Sequence, residues 1–286
     1  MFEPDLVYKI RGIVFDIYNN VAGDWKEEDY ENILCDALFN NDLKFERQTE
    51  FRIFYKGNRV GLYRTDIIVK NKIILELKVL PEIFPLHEAQ IISYLKVTGL
   101  DLALLINFGG AELYIKNYPN KFIKRTTKIN YKEEYCNDND IVERSFKKRL
   151  RIDFDIEKVN LLDQDKILIQ PFLQISKEIL EILGPGFFHQ VYRRSFWDEL
   201  KMNNIDFEWI KQLELGYKGK VYNHKEVKFF KINDLLISIV AVKQLDRLII
   251  KKFFKLVKHY RCGSGLIVNF NNTIMDYRLI KNYKNI

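Results

Sequence analysis

Residues 61–78, Gly-Leu-Tyr-Arg-Thr-Asp-Ile-Ile-Val-Lys-Asn-Lys-Ile-Ile-Leu-Glu-Leu-Lys, read as a β-hairpin with Asp66 on one strand and Glu76 and Lys78 on the next. Lys70-Asn71-Lys72 is the turn, polar and Asn-centred between two β-branched runs. A three-residue loop makes Val69 face Ile73, and counting back puts Asp66 opposite Glu76. Alternation along a strand then gives Glu76 and Lys78 one face, and Leu75 and Leu77 the other. Two carboxylates facing each other across a sheet repel. A cation between them removes that penalty, so the spacing proposes a divalent metal site with an ammonium group beside it.

An Asp, a Glu and a Lys close together are also common on solvated sheet faces, where ion pairs contribute only about 0–1 kcal/mol. The setting here is different. Ile67, Ile68 and Val69, then Ile73, Ile74, Leu75, Leu77, Val79 and Leu80, are near-continuous apolar runs, as in strands buried on both faces. A carboxylate inside such a strand is costly unless it is paired or metal-bound.

Asp66 followed by Glu76-Leu77-Lys78 resembles the core motif of the PD-(D/E)XK nuclease superfamily. More narrowly, residues from about 8 to 117 resemble a GxxExxY-type protein of that superfamily. The pieces that carry the resemblance begin with Glu46-Arg47-Gln48, Phe51, Tyr55-Lys56-Gly57 and Tyr63-Arg64-Thr65-Asp66. They continue with Ile74-Leu75-Glu76-Leu77-Lys78, His87-Glu88-Ala89-Gln90 with Tyr94-Leu95, and Leu104-Leu105-Ile106-Asn107-Phe108-Gly109. In the naming motif, Gly23 precedes Glu27 by one residue more than usual, and Tyr30 follows.

The resemblance implies a restriction-endonuclease-like fold and hydrolysis of phosphodiester bonds in nucleic acid, DNA more than RNA. Asp66 and Glu76 would bind Mg²⁺, for which Mn²⁺ could substitute, because hard cations take carboxylate oxygens and keep several waters. The carbonyl of Leu77 would complete the protein ligands, with Glu27 of the first helix as a further one. Lys78 would orient or deprotonate the attacking water, or offset charge on the transition state. Gln90 and Tyr94, four apart on one helix face, resemble the Gln-x-x-x-Tyr signature that supports the lysine and the nucleic-acid backbone. Arg64 and His87 suit phosphate contacts.

The 286-residue chain is long enough for one large or two medium domains with proper cores. Its 47% hydrophobic and 30% charged residues indicate a globular protein rather than a disordered one. No apolar run approaches the length of a membrane span, and Met-Phe-Glu-Pro-Asp lacks the basic start and apolar core of a signal peptide. Cys35, Cys136 and Cys262 are widely separated and lack metal-ligand spacing, which fits reduced thiols in a cytoplasm. Four histidines make a histidine-rich metal site improbable. A net charge of +7 suits a polyanionic partner, although a lysine-rich composition also arises without one. No glycine-rich Gly-Lys-Ser/Thr loop is present, so nothing supports an ATP-dependent machine.

The chain reads as the same module twice. Arg47-Gln48-Thr49-Glu50-Phe51 leading to Tyr55-Lys56-Gly57 is echoed by Lys211-Gln212-Leu213-Glu214-Leu215 leading to Tyr217-Lys218-Gly219. Leu105-Ile106-Asn107-Phe108 is echoed by Ile267-Val268-Asn269-Phe270, and residues 183–192 supply a second glycine-rich helix start. A spacing of roughly 160 residues exceeds solenoid periods and indicates a domain duplication. It divides the chain into an intact copy (1–120), a charged connector (121–165) with acidic 137–140 and basic 147–151, and a degenerate copy (166–286).

Aligning Val79 with Gln244 lays Ala241-Val242-Lys243 over Glu76-Leu77-Lys78, so the lysine persists and the glutamate is lost. Gln90 falls near Lys252 in a lysine-rich helix. The second copy is thus expected to be catalytically inactive and more basic, a scaffold or nucleic-acid clamp to which Lys243 and Lys252 contribute. Internal duplication can replace a homodimer or sit within one, leaving homo-oligomer and internal pseudo-dimer both open. A binding or assembly module that no longer cuts is the competing expectation.

Each copy is expected to be α/β, a mixed sheet flanked by helices. In the first, helices are expected at 8–19, 29–40 and 86–98, and strands near 45–56, 62–70, 72–80 and 102–108.

Overall fold

The computed structural model describes residues 4–23, 25–122, 141–146, 149–152, 154 and 161–282. The chain divides into two compact units, Met1–Lys147 and Lys148–Ile286. The residues of the N-terminal reading at 1–3, Asp24 of the glycine motif, Cys136, the acidic 137–140 and Lys147-Lys148 lie outside the described residues.

The first unit begins with two helices, α1 (Pro4–Asn20) and α2 (Glu27–Asn40). Along α1, Leu6, Val7, Ile10, Ile13, Val14 and Ile17 recur at three- and four-residue steps and form one buried stripe. Strands β1 (Phe45–Arg47), β2 (Glu50–Tyr55), β3 (Asn58–Arg64), β4 (Ile67–Val69) and β5 (Ile73–Lys78) follow. Helix α3 (Pro85–Thr98) leads to β6 (Leu102–Asn107), β7 (Tyr114–Pro119) and β8 (Ile141–Ser145). The main sheet has the order β1-β4-β5-β6-β7, with β5 and β6 parallel and the other pairs antiparallel. Leu75 and Leu77 share a core with α1 and α2, whereas α3 packs on β5 and β6. Both faces are covered, which accounts for the continuous apolar runs.

The strands expected at 45–56 and 62–70 are each two strands. β2 and β3 leave the main sheet and form a separate one with β8. The chain crosses between sheets at Gln48, whose φ is 53°, and at Thr65-Asp66. Two backbone bonds pin that crossing: Gln48 N–H donates to Asp66 O at 2.8 Å and Thr65 N–H to Thr49 O at 3.1 Å. At Thr65-Asp66 the mixed polar and apolar pattern of β3 gives way to the continuous Ile67-Ile68-Val69 run, but the pattern does not say that the two strands belong to different sheets. Strand β8, inside the expected connector, pairs parallel with β2. Arg149 of the expected basic run pairs with Glu178 and Glu181.

The second unit carries α4 (Asp163–Leu183), α5 (His189–Met202), β9 (Glu208–Tyr217), β10 (Lys220–Ile232) and β11 (Leu235–Val240). Helix α6 (Arg247–His259), β12 (Ser264–Asn269) and β13 (Asp276–Lys281) complete it. Its sheet order is β9-β10-β11-β12-β13, again with only the third and fourth strands parallel. Ile73 pairs with Leu102 in the first unit and Leu235 with Ser264 in the second. Corresponding residues there are 162 positions apart.

One side chain does the same work in both units. Asn107 Nδ2 donates to Leu80 O at 2.8 Å and its Oδ1 accepts from Leu80 N–H at 2.9 Å. Asn269 does this to Val242 at 2.8 and 2.9 Å. The clamp fixes the segment leaving β5, directly after Lys78. Gly109 packs against that segment so closely that a Cβ would lie 2.5 Å from Leu80 N. Asn107→Ala is expected to cost about 2–3 kcal/mol, since it removes two hydrogen bonds and strands their partners. Urea unfolding measures this, and an unchanged midpoint would refute it. Among the described residues, no helix is long and apolar enough to cross a membrane.

Candidate active site

The β4–β5 hairpin has the register that places Asp66 and Glu76 opposite each other. Val69 pairs with Ile73 and Ile67 with Leu75, and Lys70 and Asn71 both take positive φ in the turn (50° and 52°). Asp66 itself sits on the bend just before β4, not on a strand. From there Oδ2 accepts the Leu77 N–H at 2.8 Å, which ties the acid to β5 and leaves Oδ1 for another ligand.

Glu76 has no exposed surface. Its Oε1 accepts from Lys78 Nζ at 2.7 Å, while Oε2 is buried with no hydrogen-bond partner among the described residues. The same ammonium donates to Leu77 O at 2.6 Å and to Glu27 Oε1 at 3.3 Å. Three groups expected around a metal ion therefore converge on one internal cation. Glu27, expected on the first helix, instead starts α2 and is partly exposed, with 43% of its side-chain surface open.

Burial pushes the Asp66 pKa up to about 6, and the charges of Glu27 and Glu31 add to the rise against the Leu77 N–H and Lys78. Burial and then the Asp66 charge raise Glu76 well above the ordinary carboxylate range. For Lys78, burial pulls downward, but Glu76, Asp66 and Glu27 together outweigh it and the net shift is upward. Lys78 is therefore an ammonium at neutral pH, better suited to stabilising negative charge than to removing a proton.

These observations test whether a divalent cation fits. A buried, unpartnered carboxylate oxygen beside a second carboxylate with a raised pKa is an environment too negative for its own cations, so a hard divalent ion fits it. Among the described residues no cluster of three or more His, Cys, Asp or Glu side chains is arranged as a metal site. The groups here that could hold such an ion are Asp66, Glu76 and the Leu77 carbonyl, with Glu27 in reach of the same ammonium.

Glu31 was not singled out in the sequence. One turn after Glu27 and 5% exposed, it accepts from Arg47 Nε at 2.5 Å and from Gln48 Nε2 at 2.8 and 2.9 Å. It adds negative potential at Asp66. The i, i+4 spacing puts Glu31 on the helix face of Glu27, but its partners Arg47 and Gln48 are distant in sequence, and only the fold brings them beside α2.

Gln90 Nε2 donates to Tyr94 Oη at 2.6 Å. Burial raises the Tyr94 pKa, and the charge of Glu76 adds to the rise. His87 Nδ1 accepts the Phe84 N–H at the start of α3. Arg64 pairs with Glu50 across the β2–β3 sheet at 2.7 Å.

The second unit requires a correction. Phe270 N–H donates to Val240 O just as Phe108 N–H donates to Lys78 O, so Val240 stands at the Lys78 position and Ser238 at that of Glu76. Extending the β10–β11 register one residue puts Phe229 opposite Ser238, in the place of Asp66. Lys243 lies three residues beyond Val240, on an exposed bend. The Ala241–Lys243 alignment failed because it followed the lysine rather than the asparagine clamp. Lys252 is exposed on α6, 162 positions after Gln90.

Comparison with known proteins gave a family match over most of the chain: a model described as the PD-(D/E)XK nuclease superfamily matches residues 4–118 and 166–281. A search of curated proteins found no match. A solved chain titled "Crystal structure of SSO0001" is similar at 15% identity, over 42% of this chain and 80% of that one, with a TM-score of 0.23 that carries no argument.

Proposed function

We infer the function from a family premise: this chain belongs to the PD-(D/E)XK nuclease superfamily, matched in both of its halves. The reading best supported is a divalent-metal-dependent nuclease that hydrolyses phosphodiester bonds of nucleic acid, DNA favoured over RNA, in a cytoplasm where Cys35 and Cys262 stay reduced. The observation that carries it is the buried Glu76 Oε2, unpartnered beside Asp66.

In this reading Asp66, Glu76 and the Leu77 carbonyl hold Mg²⁺ or Mn²⁺, with Glu27 as a further ligand. Bound there, the ion supplies Lewis-acid polarisation of the scissile phosphate and a water of lowered pKa. Lys78 keeps its proton and offsets negative charge developing on the phosphoryl oxygens. Tyr94 holds the Gln90 amide toward the nucleic-acid backbone, and Arg64 and His87 contact neighbouring phosphates. The Leu77 N–H fixes Asp66, so the two carboxylates are positioned before substrate arrives.

The narrower reading is a GxxExxY-type protein with an internal duplication whose second copy is scaffold or clamp. Its support is the constant spacing of 162 between Ile73 and Leu235, Asn107 and Asn269, and Pro119 and Lys281. Tyr30 Oη donates to Gly23 O and stacks on Phe108, and Tyr192 Oη donates to Gly184 O and stacks on Phe270. The motif tyrosine thus closes the helix-start loop in both halves.

Purified protein is expected to cut DNA only with Mg²⁺ or Mn²⁺, and Asp66→Asn or Lys78→Ala to lower the rate by about 10²-fold or more. If these variants cut as fast as wild type, this site is not the source of cleavage. A second reading, a binding module that no longer cuts, draws on the Lys78 ammonium already bridging Glu76, Leu77 O and Glu27. It predicts salt-sensitive nucleic-acid binding with no hydrolysis.

A further inference from the structure

The second unit has lost every acid of the site, and its cations did not arise at the same strand positions. They arose on the helix. α2 and α5 start at Glu27 and His189 and end at Asn40 and Met202, each pair 162 positions apart. His189 therefore stands where Glu27 stands, and Arg193 where Glu31 stands. Both helix acids have become basic, while Asp66, Glu76 and Lys78 have become Phe229, Ser238 and Val240. The first unit surrounds one lysine with carboxylates; the second sets basic side chains beside a neutral floor.

Arg193 is partly buried, and its Nε is buried with no hydrogen-bond partner among the described residues. His189 lies one turn earlier at the start of α5, where unpaired backbone N–H groups also favour an anion. Lys228 joins them: desolvation lowers the His189 pKa, and the charges of Arg193 and then Lys228 lower it further. Burial brings the Arg193 pKa down to about 10, a cost that Glu226 only partly offsets. Glu226 is the carboxylate whose charge acts on Arg193. It pairs with Lys228 at 2.7 Å, but its side chain is 72% exposed, so it is easily displaced. A partly desolvated guanidinium with a spare N–H donor beside two further basic groups suits a phosphate, which accepts several charge-assisted hydrogen bonds at once.

We infer that the second unit binds a phosphate group directly, without metal, through Arg193, His189 and Lys228 at the position where the first unit carries its carboxylates. The phosphate is that of a nucleic-acid strand or a free phosphate ion. The inference deepens the clamp reading of the second half and does not depend on whether the first half cuts.

The test uses the full chain in EDTA, where no cleavage occurs. Fluorescence anisotropy with a short labelled duplex is expected to show Arg193→Gln and His189→Gln each weakening binding roughly tenfold. The salt slope should fall by about 1 in Arg193→Gln, which removes the guanidinium charge. In a second arm, inorganic phosphate is titrated while the His189 ring is followed by NMR. A ring shift that saturates in wild type and disappears in Arg193→Gln, with duplex binding unchanged, assigns free phosphate as the ligand. His189 is exposed, so its variant is expected to fold even where Arg193→Gln does not. If both variants bind duplex with wild-type affinity and slope, and phosphate leaves the ring unmoved, the site does not exist. Failure of the nuclease reading appears separately, as no cleavage in Mg²⁺ by a chain that still binds in EDTA.

Discussion

Glu76→Gln is expected to melt at a higher temperature than wild type at pH 8 in EDTA, while losing metal-dependent cleavage by about 10³-fold. The two effects have one cause. Glu76 has no exposed surface, and its pKa is driven up first by burial and then by the Asp66 charge. Ionising it at pH 8 therefore opposes folding. Glutamine keeps the shape and still offers Oε1 to Lys78, while its amide nitrogen replaces the oxygen that lacks a partner. Lys78 retains the fields of Asp66 and Glu27, so the ammonium is not left without counter-charge. Removing a buried charge from a site too rich in carboxylates is expected to stabilise by about 1–3 kcal/mol. At roughly 2–4 °C per kcal/mol for units of this size, calorimetry reads the shift directly. The lost carboxylate is also a metal ligand in the proposed site, so activity falls as stability rises. A lower melting temperature, or undiminished cleavage, would count against a carboxylate pair held together for a cation.

The hairpin and its register were legible because a period-two pattern and an Asn-centred turn leave few ways to pair. The helices were legible from apolar steps of three and four, and the α3 entry from Pro85. The exit of β2 and β3 into their own sheet was not. Polar and apolar residues mix along β3 while Ile67-Ile68-Val69 are uniformly apolar, but that change does not say which sheet each strand joins, and the switch rests on backbone bonds at Gln48 and Thr65. Within the site, Asp66, Glu76 and Lys78 could be found as a motif. Glu31 could not, since its partners Arg47 and Gln48 come from a strand that must first be placed beside α2. In the second unit sequence similarity favoured a lysine match at Lys243, yet the conserved physical feature is the asparagine that clamps the strand exit. The alignment that preserves hydrogen bonds is the one that exposes His189 and Arg193.

The metal-free protein is expected to lose stability as pH rises from about 4 to about 6 and beyond, and Mg²⁺ to restore it only at the upper end. Asp66 has a folded pKa of about 6 against 3.8 for an unperturbed aspartate. Below 3.8 both folded and unfolded chains hold the proton, and this group makes no difference. Between those values the unfolded chain releases it and the folded chain does not, so the folded state binds more protons and stability falls with rising pH. A shift of that size is worth about 3 kcal/mol. Glu76 acts in the same direction and extends the window upward, and the two carboxylates titrate as a pair. Glu88 shifts the opposite way through Lys116 and Tyr118, and Glu226 through Lys228, but both are exposed and their pairs are screened. Subtracting the melting curve of Asp66→Asn at each pH isolates the site from such surface groups. A divalent ion held by Asp66 and Glu76 would require both to be ionised, so its stabilisation would follow the ionised fraction. At a hundredfold excess over its dissociation constant it approaches about 2.7 kcal/mol. The melting temperature is therefore expected to rise with Mg²⁺ at pH 8 and to be indifferent to it at pH 5. A wild-type-minus-variant difference that stays flat with pH, or an equal response to Mg²⁺ at both values, would mean that these carboxylates neither share a proton nor hold an ion.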